Sequence, residues 1–449
     1  MRLDAGPDPA PDFGLARDEF DAHLSATSAA PLAVAYSGGG DSLALLLAAR
    51  AWAQARGRRL IVLHVDHELQ APSGGWAVHC QGIAQDLGLA FQRLSWTGPK
   101  PATGLPAAAR AARHRLLAEA ARTLGAAVVL MGHTADDVLE AQQMRREGAT
   151  TPDPRLWAPS PIWPEGRGVF IFRPLLFSRR SELRAALARQ GLAWIEDPAN
   201  GDSAYARARA RAALRANAPP PPPQPLAALD HGLTGLAQQA RHGPCGSISW
   251  RQEELGDAPA QALVQVLSIA CLCAAGGGRP PRRASVERLA REVMAGRPFT
   301  ATLAGARLES GAGEVFVLRE AGEAARGGLA ETPLSPGERQ VWDGRFEIET
   351  LAPGMRVAPL AGRMGQLDLV ARQNLAALSP AARKALPVLV SADGQVTLTS
   401  PGVFVRSLVQ GRFEAATGQI SREPEAQTET PPGSVAGLDQ SLGHHQVAL

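Results

Sequence analysis

A glycine-rich turn near the start of the chain carries the strongest chemical signal in the sequence. Its residues are Ser37, Gly38, Gly39, Gly40, Asp41 and Ser42. It stands between an apolar run and a helical pattern, so free N–H groups at the helix start would point at an anion, most naturally a phosphate. Glycines let the backbone bend tightly and approach a ligand closely; a plain strand–helix turn capped by Asp41 is the alternative. The chain lacks the G-x-x-x-x-G-K-[ST] pattern, which excludes the phosphate loop of kinases and GTPases.

Three carboxylates lie close together in residues 132–140, which read GHTADDVLE. Thr134 and Asp137 form an S/T-x-x-D capping box, which predicts that a helix begins there. On that helix Asp136 and Glu140 are four residues apart and Asp137 and Glu140 three apart, so the three acids share a face. They could hold a cationic substrate or a metal ion, and ordinary capping with solvated acids is the alternative.

Arginines recur at three further places. Arg110 and Arg113 are one helical turn apart and could meet phosphates or form a solvated helix face. Arg173 opens an RPLL motif after an apolar run. A basic strip near residue 205 suits a nucleic-acid backbone, although a surface helix would look similar. The strip consists of Arg207, Arg209 and Arg211.

Short apolar runs alternate with helical patterns over the first half of the chain. Strands are predicted at residues 31–36, 60–65, 90–94, 127–131 and 169–172, and helices at 41–56, 75–87, 105–124, 135–146 and 181–190. Continuous apolar strands separated by helices predict an α/β fold, a Rossmann-like parallel sheet with helices on both faces. Such folds bind ligands beyond the carboxyl ends of the strands, where the glycine-rich turn and the three acids lie.

Shifts in composition divide the chain further. We expect an N-terminal extension (1–29), a catalytic domain (30–217), a proline-rich linker (218–226), a mainly helical middle domain (227–330), a small α+β C-terminal domain (334–413) and a disordered polar tail (421–449). The Pro- and Trp-rich residues 148–168 are a candidate substrate loop.

The bulk composition permits a nucleic-acid partner without requiring one, since the net charge is only +3. Four cysteines without a C-x-x-C pair indicate neither a zinc site nor a disulfide framework, which fits a reducing compartment. The first 30 residues lack a signal-like apolar core, and no apolar run is as long as a membrane span. The sequence therefore predicts a cytoplasmic protein with no membrane partner.

Several motifs together resemble one family. SGGGDS, VDHELQAPS, AARAARH, GHTADDVLE, RPLL, WIEDPAN and YARARAR occur over residues 32–214 in the order found in the tRNA(Ile)-lysidine synthases. SGGxDS alone is typical of the wider PP-loop, or N-type ATP pyrophosphatase, superfamily. The region from residue 342 onward looks like that family's small C-terminal module, which contributes to tRNA binding.

The resemblance implies a reaction in two steps. ATP adenylates the C2 oxygen of the wobble cytidine in the isoleucine tRNA whose anticodon is CAU, and the side-chain amine of free L-lysine then displaces AMP. It implies ATP as substrate and Mg²⁺ as cofactor, and a homodimer is compatible with the sequence.

The same resemblance implies roles for single residues. The six residues of the glycine-rich turn would bind ATP, and Asp41 would also assist Mg²⁺. Asp137 and Glu140, with Asp136 nearby, would hold the lysine ammonium. Asp41, Arg113 and Asp137 would be catalytic, with Arg113 on the adenylated intermediate or the tRNA. His133 would touch the nucleotide or be a packed strand-end histidine, and Arg110, Arg173, Arg207, Arg209 and Arg211 would bind tRNA.

Two other functions stay open at this point. A PP-loop tRNA thiolase would generally need a cysteine pair, whereas Cys271 and Cys273 lie outside the predicted catalytic domain with the wrong spacing. A non-catalytic tRNA-binding relative is supported by residues 144–150, which depart from the family's glycine-rich pattern. The intact turn and acids speak against such a relative, because a pure binder has no use for a phosphate loop.

Overall fold

The computed structural model describes residues 14–69, 73–149, 154–196, 206–216, 231–323 and 329–424. The chain divides into two compact units, residues 1–227 with 420–427, and residues 228–419 with 428–449. The predicted linker (218–226), most of the predicted tail (425–449) and residues 1–13 of the predicted extension lie outside the described residues. The second unit includes both predicted C-terminal domains, and their separation stays a prediction.

The first unit is built on a six-stranded sheet. Its strands are β1 (Leu32–Ala35), β2 (Leu60–Asp66), β3 (Ala90–Ser95), β4 (Val128–Met131), β5 (Trp157–Pro159) and β6 (Phe170–Phe172). Its helices are α1 (Gly14–His23), α2 (Gly40–Gln54), α3 (Ser73–Asp86), α4 (Leu105–Thr123), α5 (Ala135–Arg146), α6 (Arg180–Arg189) and α7 (Ala206–Ala216). The strand order is β3-β2-β1-β4-β6-β5. Strands β1 to β4 and β6 pair in parallel, and β5 is antiparallel to β6.

This architecture confirms the predicted parallel α/β sheet with flanking helices. The central strands β1 and β4 are almost completely buried, as their continuous apolar sequences require. Strand order reverses between β1 and β4, because β2 and β3 lie on one side of β1 and β4 and β6 on the other. Ligands of such sheets bind at the carboxyl ends of the strands where the order reverses.

Helix α1 and strand β5 are not among the predicted elements, and α7 corresponds to the surface helix weighed as the alternative for the basic strip. Helix α1 packs Phe20 against the rings of Trp52 and Phe172, both at 5.9 Å. Strand β5 lies inside the predicted substrate loop, where Trp157 stacks on Phe170 with ring centroids 5.2 Å apart. Burial of aromatic rings at the sheet edge therefore gives part of this stretch regular structure.

The start of the predicted disordered tail is ordered against the first unit. Glu423 is buried, and its Oε2 accepts from Nη1 of Arg58 at 2.8 Å, while Arg58 Nη2 also contacts Glu423 Oε1. The prediction of disorder from residue 421 is therefore wrong for residues 421–424. Local composition does not predict a buried ion pair between residues so far apart in the chain.

The described residues of the second unit form three antiparallel sheets with helices. One consists of β7 (Arg241–His242), β8 (Ile248–Arg251), β11 (Glu314–Arg319), β10 (Ala306–Gly311) and β9 (Phe299–Leu303). The second sheet consists of β12 (Thr332–Pro333), β15 (Arg356–Pro359), β16 (Pro387–Val390) and β17 (Val396–Thr397). The third consists of β13 (Gln340–Trp342), β14 (Phe346–Thr350) and β18 (Val403–Ser407). Its helices are α8 (His231–Gln239), α9 (Gln252–Gly256), α10 (Ala260–Ala274), α11 (Arg283–Met294), α12 (Leu369–Asn374), α13 (Pro380–Lys384) and α14 (Val409–Thr417), with a 3₁₀ turn at Met364–Gln366. The predicted middle domain thus holds a five-stranded sheet beside its helices.

None of the helices in the described part of the chain combines the length and apolar character that a membrane crossing requires.

Candidate active site

The glycine-rich turn joins the carboxyl end of β1 to the start of α2. Gly38 has a φ of +89° and its carbonyl accepts from the N–H of Ile195 at 2.9 Å. A Cβ at Gly38 would lie 2.5 Å from Cδ1 of Ile195 and 3.1 Å from Sγ of Cys80. Glycine is therefore required here both by the left-handed backbone and by the close packing.

Internal hydrogen bonds hold the turn in shape. The hydroxyls of Ser37 and Ser42 lie 3.1 Å apart, and Ser42 Oγ donates to the carbonyl of Gly39 at 2.8 Å. Gly39 is the extended N-cap of α2. Because the first N–H groups of any α-helix lack intrahelical partners, α2 presents those of its first turn at the end of β1. The turn is thus preorganised for an anion.

The β4–α5 connection lies directly against this turn. A Cβ at Gly132 would be 3.0 Å from Cα of Ser42 and 3.1 Å from the carbonyl oxygen of Asp41. Only a residue without a side chain lets the two backbones come so close. The close approach brings the glycine-rich turn and the predicted acids together where the strand order of the sheet reverses.

Four carboxylates from the two connections form what we call the acidic cluster: Asp41, Asp136, Asp137 and Glu140. Asp137 Oδ2 accepts from the N–H of Thr134 at 2.9 Å, as the predicted capping box requires, and also from the Thr134 hydroxyl at 3.0 Å. Burial works to raise the pKa of Asp137. The charges of Arg180 and Arg207 and the Thr134 N–H outweigh that effect and hold the pKa below its ordinary value, so Asp137 is ionised at neutral pH.

Arg180, at the first position of α6, lies in the middle of the acidic cluster. Its Nε donates to Asp41 Oδ2 at 2.8 Å, its Nη1 donates to Glu140 Oε1 at 3.0 Å, and its Nη2 lies 3.4 Å from Asp137 Oδ2. Its backbone N–H donates to Asp136 Oδ2 at 2.8 Å. Burial opposes the charged form, but the carboxylates of Asp137, Asp41 and Glu140 outweigh it and raise the pKa of Arg180. Arg180 was not predicted, and the only signal for it was the Arg179–Arg180 pair before a helical pattern.

Glu140 is the most deeply buried acid of the cluster, with its side chain 1% exposed. Besides Arg180, it accepts from Arg211 Nε at 2.8 Å, and Arg207 Nε lies 3.6 Å from its Oε2. Helix α7 therefore turns two arginines of the predicted tRNA strip toward the acids, while Arg209 between them is exposed. Contact of this strip with tRNA phosphates stays a prediction.

The four residues Arg110, Arg113, Arg173 and His133 form what we call the basic cluster. Arg173 is buried, and it donates from Nη1 to the carbonyl of Arg155 at 2.7 Å. Burial, reinforced by neighbouring arginines, lowers the pKa of both Arg113 and Arg173 to about 10. Within the described residues, no carboxylate lies within 4.0 Å of either guanidinium, and Nε of Arg113 is shielded from water without a hydrogen-bond partner. Crowded cations without a carboxylate in direct contact are stabilised by an anionic ligand.

His133 connects the basic cluster to the acids. Its Nδ1 accepts from Arg173 Nε at 3.0 Å. Burial and the charge of Arg173 lower the pKa of His133 well below its ordinary value, so the ring is neutral. The proton then lies on Nε2, which leaves that nitrogen as a hydrogen-bond donor.

Asp41 is the acid that best fits a metal ion bound together with a nucleotide. Burial outweighs the effect of Arg180 and raises the pKa of Asp41. Its Oδ1 is shielded from water and accepts no hydrogen bond from the described residues, although Arg184 Nε lies 3.9 Å away. In the same part of the chain, no three His, Cys, Asp or Glu side chains converge as a metal site. A cation here would need most of its ligands from elsewhere.

Comparison with known proteins is consistent with this geometry. A family model described as a PP-loop domain matches residues 16–218. The tRNA(Ile)-lysidine synthase of Caulobacter vibrioides is 45% identical over 91% of this chain and 98% of its own length. Proteins of the same name from Hyphomonas neptunium and Rhizobium meliloti are 35% and 32% identical, over 68% and 80% of this chain and 83% and 82% of theirs. The chain belongs to the tRNA(Ile)-lysidine synthase family.

Proposed function

We propose that this chain is an ATP-dependent ligase that joins free L-lysine to C2 of the wobble cytidine in the CAU-anticodon isoleucine tRNA. The C2 oxygen attacks the α-phosphorus of ATP and diphosphate leaves. The lysine ammonium loses one proton to water, the resulting side-chain amine attacks C2, AMP leaves with the former C2 oxygen, and the substituted nitrogen loses a second proton to water. The product, lysidine, changes the codon read by this tRNA from AUG to AUA.

One observation carries the proposal: a preorganised anion-binding turn lies beside two clusters of opposite charge. The reaction needs a triphosphate and an ammonium group on either side of one base. A basic cluster without a carboxylate in direct contact with Arg113 or Arg173 suits the phosphates, and a set of carboxylates suits the ammonium. Positioning and charge stabilisation are the main contributions that such a transfer needs from a protein.

The nucleotide side of the site would use three kinds of donor. The N–H groups at the start of α2 would bind phosphate oxygens, with Ser37 and Ser42 keeping the turn in shape. Arg113 would compensate the charge that develops on the leaving groups. His133 would offer its Nε2 proton to the nucleotide or to the base.

Mg²⁺ would be held by Asp41 together with phosphate oxygens of ATP. This ion usually keeps several waters and binds through one or two carboxylates plus the substrate's phosphates. The unsatisfied Oδ1 of Asp41 fits that chemistry. When bound, the ion would neutralise phosphate charge.

The lysine side of the site would use Asp137 and Glu140, with Asp136 nearby. A carboxylate whose pKa is held low is a weak base. Asp137 would therefore hold and orient the ammonium rather than remove its proton. The tRNA would be bound by Arg110, Arg173 and the arginines of α7. A cytoplasmic location and a homodimer remain expectations from the sequence.

Both alternatives are less well supported. Burial raises the pKa of Cys271 and Cys273 to about 12. Such thiols carry almost no reactive thiolate, so they do not suit the sulfur transfer of a thiolase. A protein that only binds tRNA would not need the close packing at Gly132, which brings the glycine-rich turn next to the carboxylates of the acidic cluster.

The test is incubation of the full chain with an isoleucine tRNA transcript bearing CAU, ATP and radiolabelled lysine, followed by nucleoside analysis. We expect label in the nucleoside from the wobble position and one AMP per lysine incorporated. A methionine tRNA transcript with the same anticodon is the matched control and should stay unlabelled. Binding of the transcript without ATP–diphosphate exchange would instead identify a non-catalytic relative.

A further inference from the structure

The acidic cluster already contains a cation that belongs to the protein. Each of the three guanidinium nitrogens of Arg180 faces a different carboxylate, those of Asp41, Asp137 and Glu140. The side chain of Arg180 is only 15% exposed. The position between these carboxylates, where an ammonium would be best stabilised, is therefore taken.

Neighbouring arginines leave no net negative charge to attract a second cation. Arg207 and Arg211 also reach Glu140, and Arg179 lies 3.6 Å from Asp136. An ammonium entering this arrangement would meet carboxylates that are already compensated. Since charge repulsion and desolvation both oppose that entry, free lysine should bind weakly to the state that the structure shows.

We propose that Arg180 is a positioning residue that occupies the ammonium position until a nucleotide binds, so that ATP opens the lysine site. This inference rests on the proposed function. ATP brings its polyanionic phosphate chain to the turn that ends at Ser42. Asp41 belongs to this turn, and Arg180 Nε already donates to its carboxylate. Guanidinium groups form strong, often bidentate hydrogen bonds to phosphate oxygens, as they do to carboxylate oxygens. The side chain can rotate toward the phosphates and release Asp137.

The surroundings of Arg180 suit a side chain that moves while its backbone stays. The N–H of Arg180 is fixed by Asp136, and the N–H of Arg179 donates to Glu182 Oε2 at 3.3 Å, so the start of α6 is anchored without the guanidinium. Glu140 keeps Arg211 when Arg180 leaves, so no buried carboxylate becomes unpaired there. Asp137 loses one cation but keeps both bonds from Thr134, and lysine takes the vacated position.

The consequence is positive coupling between ATP and lysine. A ligand shifts an equilibrium only by its different affinity for the two states, and here ATP favours the state in which Arg180 has left the acids. Coupling between two ligands is reciprocal and typically amounts to a 5- to 150-fold change in affinity. Lysine should therefore bind about tenfold more tightly to the nucleotide-bound protein than to the free one.

The experiment is equilibrium dialysis of radiolabelled lysine against the full chain, with and without α,β-methylene-ATP, which cannot transfer its adenylyl group. For the wild type we expect lysine to bind about tenfold more tightly when the analogue is present. Arg180→Ala should bind lysine about tenfold more tightly than wild type without the analogue, and should lose most of the dependence on it. A misfolded variant loses affinity, so this gain separates the proposal from a structural role. Arg180→Lys keeps one charge and should retain part of the coupling.

Arg189→Ala is the matched control, because Arg189 is an exposed arginine on the same helix; it should behave as wild type. Equal dependence on the analogue in wild type and Arg180→Ala would overturn the inference, as would weaker lysine binding by Arg180→Ala without the analogue. Failure of the proposed function is distinguishable, because the wild type would then incorporate no lysine into the transcript. Incorporation by wild type with unchanged coupling in Arg180→Ala leaves the function standing and rejects the role of Arg180.

Discussion

Arg173 donates its Nε to Nδ1 of His133 across 3.0 Å, and this one bond determines which ring nitrogen of His133 carries the proton. Because Nδ1 accepts, the proton of the neutral ring is on Nε2. Arg173 itself is buried, and no carboxylate in the described ranges lies within 4.0 Å of it. The pair therefore presents a positive charge and a directed N–H at the end of β4, which together suit an anion.

Replacing Arg173 by Met should weaken ATP binding by about ten- to a hundredfold, since Arg173 orients the His133 Nε2–H that would meet the nucleotide, and a hydrogen bond to a charged group contributes about 1.5–3 kcal/mol. The free energy of unfolding should change little, because removing a buried charge offsets the loss of the hydrogen bonds to His133 and to the carbonyl of Arg155. Isothermal titration with α,β-methylene-ATP measures the first effect and urea unfolding the second. Arg115→Met, an exposed arginine on α4, is the control. Unchanged nucleotide affinity in Arg173→Met would contradict the anionic role of the basic cluster.

Gly132→Ala tests the contact between the two backbone connections. The added Cβ would press on Cα of Ser42 and the carbonyl of Asp41, which cannot rotate away. We expect a loss of about 1–3 kcal/mol in the free energy of unfolding and a rise in the KM for ATP. Gly82→Ala on α3, where a Cβ meets nothing within 4 Å, should be neutral or stabilising. A Gly132→Ala variant with wild-type KM would show that the two turns need not touch.

The sequence predicts the strands of the sheet and the turn at their carboxyl ends well, because these follow from local apolar runs and glycines. It does not predict where Arg180 lies, since the contact with Asp41 spans 139 residues. Nor does it show which way the arginines of α7 face: Arg207 and Arg211 turn toward Glu140 only because α7 packs on α5. Helix α1 and strand β5 were missed for a similar reason, since their regular structure depends on distant aromatic partners.

Asp137→Asn separates lysine binding from nucleotide binding. The amide oxygen of Asn can still accept from Thr134, so α5 should keep its start, while the negative charge is lost. We expect a rise of about tenfold or more in the KM for lysine, with α,β-methylene-ATP affinity within about twofold of wild type. Asp86→Asn, an exposed acid on α3, should leave both quantities unchanged. A variant with an unaltered lysine requirement would reject this carboxylate as a ligand of the ammonium.

His114 should make the first unit lose stability in mild acid. Burial, helped by the charge of Arg113, lowers the pKa of His114 from its ordinary 6.5 to about 2, and neither ring nitrogen has a hydrogen-bond partner in the described residues. The unfolded chain therefore binds a proton below pH 6.5 that the folded chain does not. The corresponding stability is present above pH 6.5 and falls as the pH drops, by about 2 kcal/mol between pH 6.5 and 5.

Urea unfolding of wild type and His114→Leu at pH 7, 6 and 5 checks this expectation. The slope of the unfolding free energy against pH should be smaller in the variant by about one proton's contribution. His79→Leu, which replaces an exposed histidine, should keep the wild-type slope. Equal slopes in all three proteins would mean that His114 does not resist protonation in the folded state.

A crystal of the full chain grown with α,β-methylene-ATP and lysine would show directly where both ligands bind. We expect phosphate oxygens on the N–H groups of the turn from Ser37 to Ser42, with Arg113 toward the triphosphate. We also expect the lysine ammonium at Asp137, in the position that Arg180 holds in the free protein. A nucleotide bound away from that turn, with the acids still closed on Arg180, would contradict both the ATP site and the role of Arg180.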